Sequence, residues 1–468
     1  MSISELCYLG AVAQSKLLRS RSVSAVELTV AHLDQIARHN PRLNAIVTLC
    51  ADKALERAME LDQSAAHGEF CGPLHGLPVA HKDLFDTAGI RTTYGSLLYQ
   101  HQIPTANSLI VERMENAGAI SLGKTNTPEF GAGSQTYNEV FGATRNPYDP
   151  SKTCGGSSGG SAVALACGMA SLANGSDLGG SLRNPASFCG VVGLRPSAGR
   201  VPKWPSASCW FPLDVHGPMA RSVEDVAFLL SVIAGPDARS PIAIAEPGEP
   251  FAASLSSNLK GLRIAWFKDL DGIPVEPEVR QIVNDRRKTF EEIGCVVEDA
   301  EPDFSGANEA FRILRAWYSA LNHSERVAQN PGVLKATLAN EVEQGLGLGG
   351  AEVARAEKLR TELYHRMRVF FERYDAFVLP TVQVLPFPVE QPYVNEINGV
   401  ALETYIDWMK SCYLISATGH PAISVPAGFS TSGLPVGLQI VGKHQGERKL
   451  LELAYGFEQA AGVKSGKW

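Results

Sequence analysis

Three short stretches of the chain carry residue types at spacings that could support phosphate binding or nucleophilic catalysis. Residues 118–125, GAISLGKT, match the phosphate-binding pattern G-x-x-x-x-G-K-[ST]. Within them, 121–124 match the S-x-x-K of penicillin-recognising enzymes, and 155–159, GGSSG, match the G-x-S-x-G nucleophile elbow of α/β hydrolases. Because such patterns work only in a particular structural context, the surrounding elements decide whether each one is functional.

The surrounding elements argue against these three functions. A phosphate-binding loop needs a strand before its first glycine and a helix from its lysine, but here the strand-like residues lie inside 118–125 and Pro128 follows too closely. The K-T-G element that accompanies S-x-x-K is missing. The residues before Gly155, DPSKTC, are not an apolar strand, although His216 and later histidines are available to complete an esterase triad.

A longer stretch holds two serine-bearing turns that a helix-like segment joins. The first turn is 153–161, TCGGSSGGS, and the second is 174–183, NGSDLGGSLR, with small apolar residues at 162–169 between them. Flexible linkers are not interrupted by helices or followed by apolar runs such as 188–193. We therefore infer that the glycines let the backbone approach a ligand closely and that the two turns face each other.

Composition and charge exclude several classes of protein. The 468 residues are 44% hydrophobic and carry a net charge of −7, so the chain can bury enough apolar surface to fold. We expect no nucleic-acid partner without a basic block, and no membrane partner without an apolar run of about 18 residues. No signal peptide is visible, which favours a cytoplasmic location. Nine cysteines, odd in number and never spaced C-x-x-C, favour neither a disulfide framework nor a zinc site.

Helix and strand signals alternate along the chain. A capping box at Ser24 begins a helix that we expect to end before Pro41, and a buried strand is predicted to end near Lys82. We predict a glycine-rich flexible flap at 343–350 and a linker at 243–257. The other predicted helices cover about 51–61, 109–117, 162–169, 222–233, 279–293, 308–329 and 351–371, and the other predicted strands cover about 119–122, 262–267, 295–297, 377–379, 422–425 and 436–441.

Five long motifs in a fixed order make the sequence resemble the amidase signature family. They are 76–83 (GLPVAHKD), 123–130 (GKTNTPEF), 155–161 (GGSSGGS), 177–183 (DLGGSLR) and 433–439 (GLPVGLQ). The resemblance implies an α/β fold in which one large domain, 1–468, holds a mixed twisted β-sheet covered by helices on both sides. The signature core would span about 72–202, and a variable helical portion, about 243–371, would form part of the pocket wall.

The resemblance also implies a Ser-cisSer-Lys triad that hydrolyses linear amides without a metal or an organic cofactor. Ser181 would be the nucleophile, Ser157 the bridging serine after a cis peptide bond, and Lys82 the base. The relaxed backbone of the two glycines would let the N–H groups of Leu178, Gly179, Gly180 and Ser181 form an oxyanion hole. We expect four nearby residues to support the site, namely Ser158, Ser161, Asp177 and Arg183.

General chemistry agrees with a lysine base. A serine hydroxyl is a weak nucleophile until a neighbouring base takes its proton, and lysine can replace histidine in that role. The lysine must then be neutral, which burial favours by lowering its pKa. Lys82, at the end of a predicted buried strand, meets this requirement.

The sequence leaves the substrate and some alternatives open. Aryl amides, anilides, carbamates and small aliphatic amides all fit. The aromatic residues Trp204, Trp210 and Phe211, together with Cys209, line the pocket or belong to the core. The main alternative is the A subunit of glutamyl-tRNA(Gln) amidotransferase. That subunit usually has Met-Asp-Glu-Phe where this chain has TPEF at 127–130, and an acidic glutamine-binding residue where this chain has Met409, although Asp407 is only two positions away. An α/β-hydrolase-type esterase and a non-catalytic binding protein are the others. A small-molecule amide is the expected partner, with a homodimer as one possible assembly.

Overall fold

A mixed sheet of eleven strands runs through the centre of the computed structural model, which describes residues 3–256 and 258–463. Two further pairs of short strands, β4 with β5 and β12 with β13, lie outside this sheet. The strands are β1 (Ile46–Leu49), β2 (Pro78–Lys82), β3 (Ile120–Thr125), β4 (Tyr137–Asn138), β5 (Gly142–Ala143), β6 (Leu172–Asp177), β7 (Val192–Arg195), β8 (Val215–Ala220), β9 (Arg263–Trp266), β10 (Val296–Asp299), β11 (Ala376–Pro380), β12 (Glu396–Ile397), β13 (Val400–Ala401), β14 (Ala422–Phe429) and β15 (Pro435–Gly442).

The order of strands in the main sheet is β1-β3-β2-β6-β8-β7-β14-β15-β11-β9-β10. Strands β3, β2 and β6 are parallel neighbours, as are β11, β9 and β10, whereas the central strands from β6 to β11 pair antiparallel. The structure therefore confirms a single α/β domain with a mixed sheet. Strands β2, β6, β7, β11 and β15 are buried along their whole length, which requires cover on both faces of the sheet.

Fifteen α-helices of the described chain cover and extend the sheet. They are α1 (Ile3–Tyr8), α2 (Ala11–Arg19), α3 (Ala25–Leu43), α4 (Ala51–Ala66), α5 (Leu109–Asn116), α6 (Gly159–Ala166), α7 (Arg183–Cys189), α8 (Val223–Ile233), α9 (Pro277–Asn284), α10 (Arg287–Glu292), α11 (Ala307–Gln329), α12 (Ala336–Leu346), α13 (Gly350–Arg373), α14 (Lys410–Thr418) and α15 (Glu447–Ala461). None of these helices has both the length and the apolar composition that crossing a bilayer requires.

Local capping signals were reliable guides to helix starts. The Ser24 side chain accepts a hydrogen bond from the Glu27 N–H while the Glu27 carboxylate accepts one from the Ser24 N–H, so the predicted capping box is confirmed. The Ser222 side chain likewise caps α8. The predicted strand ending at Lys82 is also confirmed as β2.

Three local predictions were wrong. Helix α3 continues through Pro41 to Leu43, since a proline in the last turn forfeits little more than one backbone hydrogen bond before the helix ends at Asn44 in the left-handed conformation. The predicted helix 279–293 is two helices, α9 and α10. The predicted flap at 343–350 is helical up to Leu346, because Leu338 and Val342 of α12 bury their side chains in a small cluster with Leu334.

Gly123 allows β3 to lie between β1 and β2. Its φ is +149°, and a Cβ atom added there would lie 1.9 Å from the Thr48 carbonyl oxygen. We therefore expect Gly123→Ala to destabilise the protein by about 3 kcal/mol or more, since neither backbone can move without breaking the sheet.

The matched control is Gly142→Ala. Gly142 also has a positive φ, +75°, but an added Cβ would meet nothing within 4 Å. Its substitution should remove only the conformational advantage of glycine, about 1 to 2 kcal/mol. Urea unfolding midpoints of the two variants measure the difference, and equal losses would contradict the steric explanation.

Candidate active site

The ammonium group of Lys82 lies in the interior among serine hydroxyls. Its Nζ donates hydrogen bonds to Ser157 Oγ at 2.7 Å, Ser158 Oγ at 3.0 Å and Ser176 Oγ at 3.0 Å. The residue is completely buried, and no carboxylate of the described residues forms an ion pair with it. Strand β2 delivers it there, and its backbone N–H is held by the Asn174 side chain on the neighbouring strand β6.

Burial lowers the pKa of Lys82 from its ordinary 10.5 to about 7, although the carboxylates of Asp214 and Asp177 oppose the shift. An ammonium loses the stabilisation of water when it is buried, and three neutral hydroxyls replace only part of that stabilisation. A large fraction of Lys82 is therefore neutral near pH 7 and able to accept a proton.

Ser157 belongs to the first of the two serine-bearing turns. The peptide bond between Gly156 and Ser157 is cis, as the sequence resemblance implied. Ser134 Oγ donates to the Gly156 carbonyl at 2.7 Å, and helix α6 begins two residues after Ser157. The turn is therefore fixed on both sides of the serine that contacts Lys82.

Ser181 lies in the second turn, between β6 and α7, and its backbone carbonyl accepts a hydrogen bond from the Ser158 N–H at 3.2 Å. The two turns thus contact each other, as predicted. One predicted oxyanion donor differs from expectation, because the Gly180 N–H donates to Asp177 Oδ1 at 2.8 Å. The N–H groups of Leu178, Gly179 and Ser181 remain candidates for that role.

A buried ionic network holds the second turn. Asp177 accepts from the Arg183 guanidinium at 2.9 and 3.1 Å, from Arg195 at 3.1 Å and from the Leu182 N–H at 3.1 Å. Burial alone would raise the pKa of Asp177, but the two guanidinium groups outweigh it and hold that pKa well below its usual range. Arg183 also contacts Gln439 and Ser416, which ties the turn to β15 and α14.

The remaining predicted supports also lie beside the triad. Ser158 accepts from Lys82 and contacts the Ser176 carbonyl at 3.4 Å. Ser161 contacts Thr125 Oγ1 at 2.8 Å and donates to the Asn174 carbonyl at 3.0 Å, so it joins β3, β6 and α6. Both serines therefore position the turn on which Ser157 lies.

Ser157 and Ser181 line one cavity of about 260 Å³, called here the larger cavity. Strand pairing explains its polar wall, because His216 on β8 lies opposite Ser176 on β6, and Asp214 lies two residues earlier on the same face. Burial lowers the pKa of His216 to about 3, so its imidazole is neutral. The aromatic lining consists of Phe85, Tyr94, Phe130, Tyr318 and His323.

A smaller cavity of about 90 Å³ adjoins the larger cavity at Ser181. Leu178 and Gly179 line it together with Ala132, Leu338 and Met409. Six residues line both cavities, so the proposed nucleophile lies where the two cavities meet; they are Phe130, Gly131, Leu178, Ser181, Tyr318 and His323.

These residues are those of a known family. The family model described as Amidase matches residues 27–451. The chain belongs to the amidase signature family. An acylamidase from Rhodococcus erythropolis is 35% identical, covering 98% of this chain and 96% of the relative. The A subunit of glutamyl-tRNA(Gln) amidotransferase from Thermosynechococcus vestitus is 36% identical, covering 93% and 94%. The crystal structure of a bacterial aryl acylamidase has a TM-score of 0.90 at 29% identity, covering 97% and 96%.

Membership of the amidase signature family makes the protein an amidohydrolase, a hydrolase that acts on C–N bonds. It also agrees with the rejection of the three short motif matches. Residues 120–125 of the phosphate-binding pattern form β3, and the Lys124 ammonium is buried against the Phe85 carbonyl and the hydroxyls of Thr87 and Thr92. No strand of the described chain leads into Gly155, so the nucleophile-elbow geometry is absent there.

Sequence reasoning missed most of the cavity lining of this amidase. The pairing of β6 with β8 brings Ser176 and His216 together. The aromatic residues come from segments outside the sheet and from α11, so no local pattern places them beside these two side chains. The predicted aromatic segment near 204–211 does not line either cavity. Trp210 is 70% exposed, whereas Phe211 is buried behind the wall, where its ring stacks on Tyr318 at 4.1 Å.

The ionic network leads to a stability prediction. Arg183→Met should destabilise the enzyme by about 3 kcal/mol or more, because it removes the main counter-ion of the buried Asp177 carboxylate. Arg57→Met is the matched control, since Arg57 pairs with Glu60 at the surface and should change stability by less than about 1 kcal/mol. Urea unfolding midpoints test both, and similar shifts would show that the buried network is not what holds the turn.

Proposed function

We propose that Ser181 attacks the substrate carbonyl, that Ser157 relays its proton and that Lys82 receives it. The observation that carries this proposal is the 2.7 Å contact between Lys82 Nζ and Ser157 Oγ in the wall of the cavity that also contains Ser181. A base must be neutral and within hydrogen-bond reach of the proton that it takes, and Lys82 meets both requirements.

The same contacts serve both halves of the reaction. As the Ser181 Oγ bond to the carbonyl carbon forms, the Ser181 proton moves to Ser157 and the Ser157 proton moves to Lys82. The tetrahedral oxyanion accepts hydrogen bonds from the N–H groups of Leu178, Gly179 and Ser181. When the C–N bond breaks, Lys82 returns a proton through Ser157 to the leaving nitrogen, and water later hydrolyses the acyl-enzyme.

The proton relay fixes the orientation of the amide. The leaving nitrogen must receive its proton from Ser157, which lines the larger cavity and not the smaller one. The amine part therefore occupies the larger cavity, called the amine cavity from here on. The acyl part extends from Ser181 into the smaller cavity, called the acyl cavity.

The lining of the amine cavity favours an aromatic amine. Phe85 and Tyr94 line this cavity and not the acyl cavity, Phe130 and Tyr318 line both, and Asp214 and His216 offer hydrogen-bond acceptors. The similarity to an acylamidase and to an aryl acylamidase supports the same substrate class. The protein is thus proposed to be an aryl acylamidase that works through a Ser181 acyl-enzyme.

The similarity to amidotransferase A subunits raises glutamine hydrolysis as the second candidate. That reaction would need a free carboxylate near the acyl cavity for the substrate ammonium group. Met409 lines the cavity at the position in question, and its Sδ accepts from Asn184 Nδ2 at 3.2 Å. The Asp407 carboxylate is engaged by the N–H groups of Glu403 and Thr404 and by the Tyr413 hydroxyl, which disfavours glutamine.

Ser181→Ala should lower kcat/KM for 4-nitroacetanilide by at least about 10⁴-fold, because it removes the atom that bonds to the acyl group. The parent enzyme should hydrolyse this anilide much faster than acetamide or glutamine, and a fluorophosphonate should label Ser181, as mass spectrometry of the labelled peptide would show. Labelling of another residue would contradict the assignment. Glutamine-driven ammonia release as the dominant activity would favour the amidotransferase function.

The pH dependence of kcat/KM tests the lysine. Its ascending limb should have an apparent pKa of about 7, the value of Lys82. The Asp214 carboxylate raises that pKa, so Asp214→Asn should move the limb to lower pH. Histidine variants His216→Gln and His323→Gln should not move it, since burial already lowers those pKa values to about 3 and 4.

Lys82→Arg completes the test. A guanidinium stays protonated and cannot take the serine proton, so this variant should lose as much activity as Lys82→Ala, at least about 10²-fold. Substantial turnover by Lys82→Arg, or a limb that moves with a histidine variant, would exclude Lys82 as the base.

A further inference from the structure

A third cavity, of about 290 Å³, lies beyond the end of the acyl cavity and is called here the outer cavity. Arg315 and Glu341 line both of these cavities, so their side chains lie between them. Arg315 Nη2 and Glu341 Oε2 are 2.7 Å apart, and their side chains are only 13% and 5% exposed. The ion pair is therefore a buried partition between a small cavity next to Ser181 and a large one behind it.

The partition is braced on several sides. Glu341 accepts from the Tyr405 hydroxyl at 2.9 Å and from Ser319 Oγ at 3.1 Å, and Arg315 also contacts the Tyr405 hydroxyl. Arg315 and Ser319 lie one turn apart on α11, Glu341 lies on α12, and Tyr405 precedes α14. The carboxylate thus has three donors from two segments of the chain besides its own helix, which holds the pair in place.

We propose that the Arg315–Glu341 pair sets the longest acyl group that the enzyme accepts. The proposal rests on the proposed function, which puts the acyl group in the acyl cavity. At about 90 Å³ that cavity is smaller than the roughly 150 Å³ cavity that holds a benzene molecule, so it has room for an acyl group with only a few carbon atoms. A longer alkyl chain would have to displace a buried ion pair whose hydrogen bonds are already satisfied, which is strongly unfavourable.

The protein offers a matched pair of double variants. Arg315→Ala with Glu341→Ala removes both charges together, so that neither is left buried without a partner, and joins the acyl cavity to the outer cavity. Arg312→Ala with Glu403→Ala removes the same residue types from an exposed ion pair that lines only the outer cavity. Only the first double variant alters the partition.

The experiment compares kcat/KM for 4-nitroanilides of acetic, butyric and octanoic acid. The parent enzyme should prefer the acetyl over the octanoyl substrate by roughly 100-fold. The R315A/E341A variant should raise the octanoyl to acetyl ratio by at least about tenfold, and the R312A/E403A control should leave it unchanged. An unchanged ratio in folded R315A/E341A, or an equal rise in the control, would overturn the proposal.

A narrowing variant tests the same cavity without touching the ion pair. Ala132 lines the acyl cavity but not the amine cavity, so Ala132→Leu should reduce the butyryl to acetyl ratio by at least about tenfold. If R315A/E341A does not fold, this variant still tests whether the acyl group lies in the acyl cavity, on which the proposal depends. Unchanged chain-length preference in Ala132→Leu would then overturn the proposal.

Two further outcomes separate this proposal from the proposed function. If the parent enzyme hydrolyses no anilide through Ser181, the proposed function fails and this inference fails with it. If hydrolysis depends on Ser181 but R315A/E341A changes the preference between acetyl anilides and acetyl 2-naphthylamides instead of acyl length, the function stands and the placement of the acyl group is wrong.

Discussion

The burial of one ammonium group without a counter-ion is the constraint on which the active site depends. Lys82 has three hydroxyls around its Nζ. The carboxylates of Asp214 and Asp177 raise its pKa, but neither forms an ion pair with it. A direct ion pair would have restored a high pKa and removed the base. Burial keeps the pKa of Lys82 near 7, and the three hydroxyls satisfy the hydrogen-bonding capacity of the lysine without adding a charge.

The buried charged side chains of the signature core hold its backbone in place. Asp177 forms ion pairs with Arg183 and Arg195 and not with Lys82. Its carboxylate also accepts hydrogen bonds from the backbone N–H groups of Gly180 and Leu182, in the turn that carries Ser181. The carboxylate therefore shapes the turn while its negative charge is neutralised locally. This arrangement explains how a fully buried aspartate can lie so near Lys82 without holding the lysine in its charged form.

The sequence was most informative where local chemistry determines structure. The capping box at Ser24 and the buried strand ending at Lys82 could be predicted, because motifs and periodicity encode them within a few residues. The cis bond before Ser157 was expected only from the family resemblance. Tertiary packing decided the rest. Apolar contacts of α12 overrode the weak helix propensity of 343–346, and the amine cavity depends on a cross-strand register between β6 and β8 that no local pattern shows.

Two buried lysines on neighbouring strands show why burial alone does not make a catalytic base. Parallel pairing of β2 with β3 puts Lys124 beside His81 and Thr125 beside Lys82, so the two lysines project from opposite faces of the sheet. Burial lowers the pKa of Lys124 as well, to about 8. Its Nζ, however, is held by the Phe85 carbonyl and two threonine hydroxyls, and it lines neither cavity next to Ser181. Of these two lysines, only Lys82 has both a lowered pKa and a contact with a serine hydroxyl that lines the cavity. The difference arises because the two side chains project from opposite faces of the sheet.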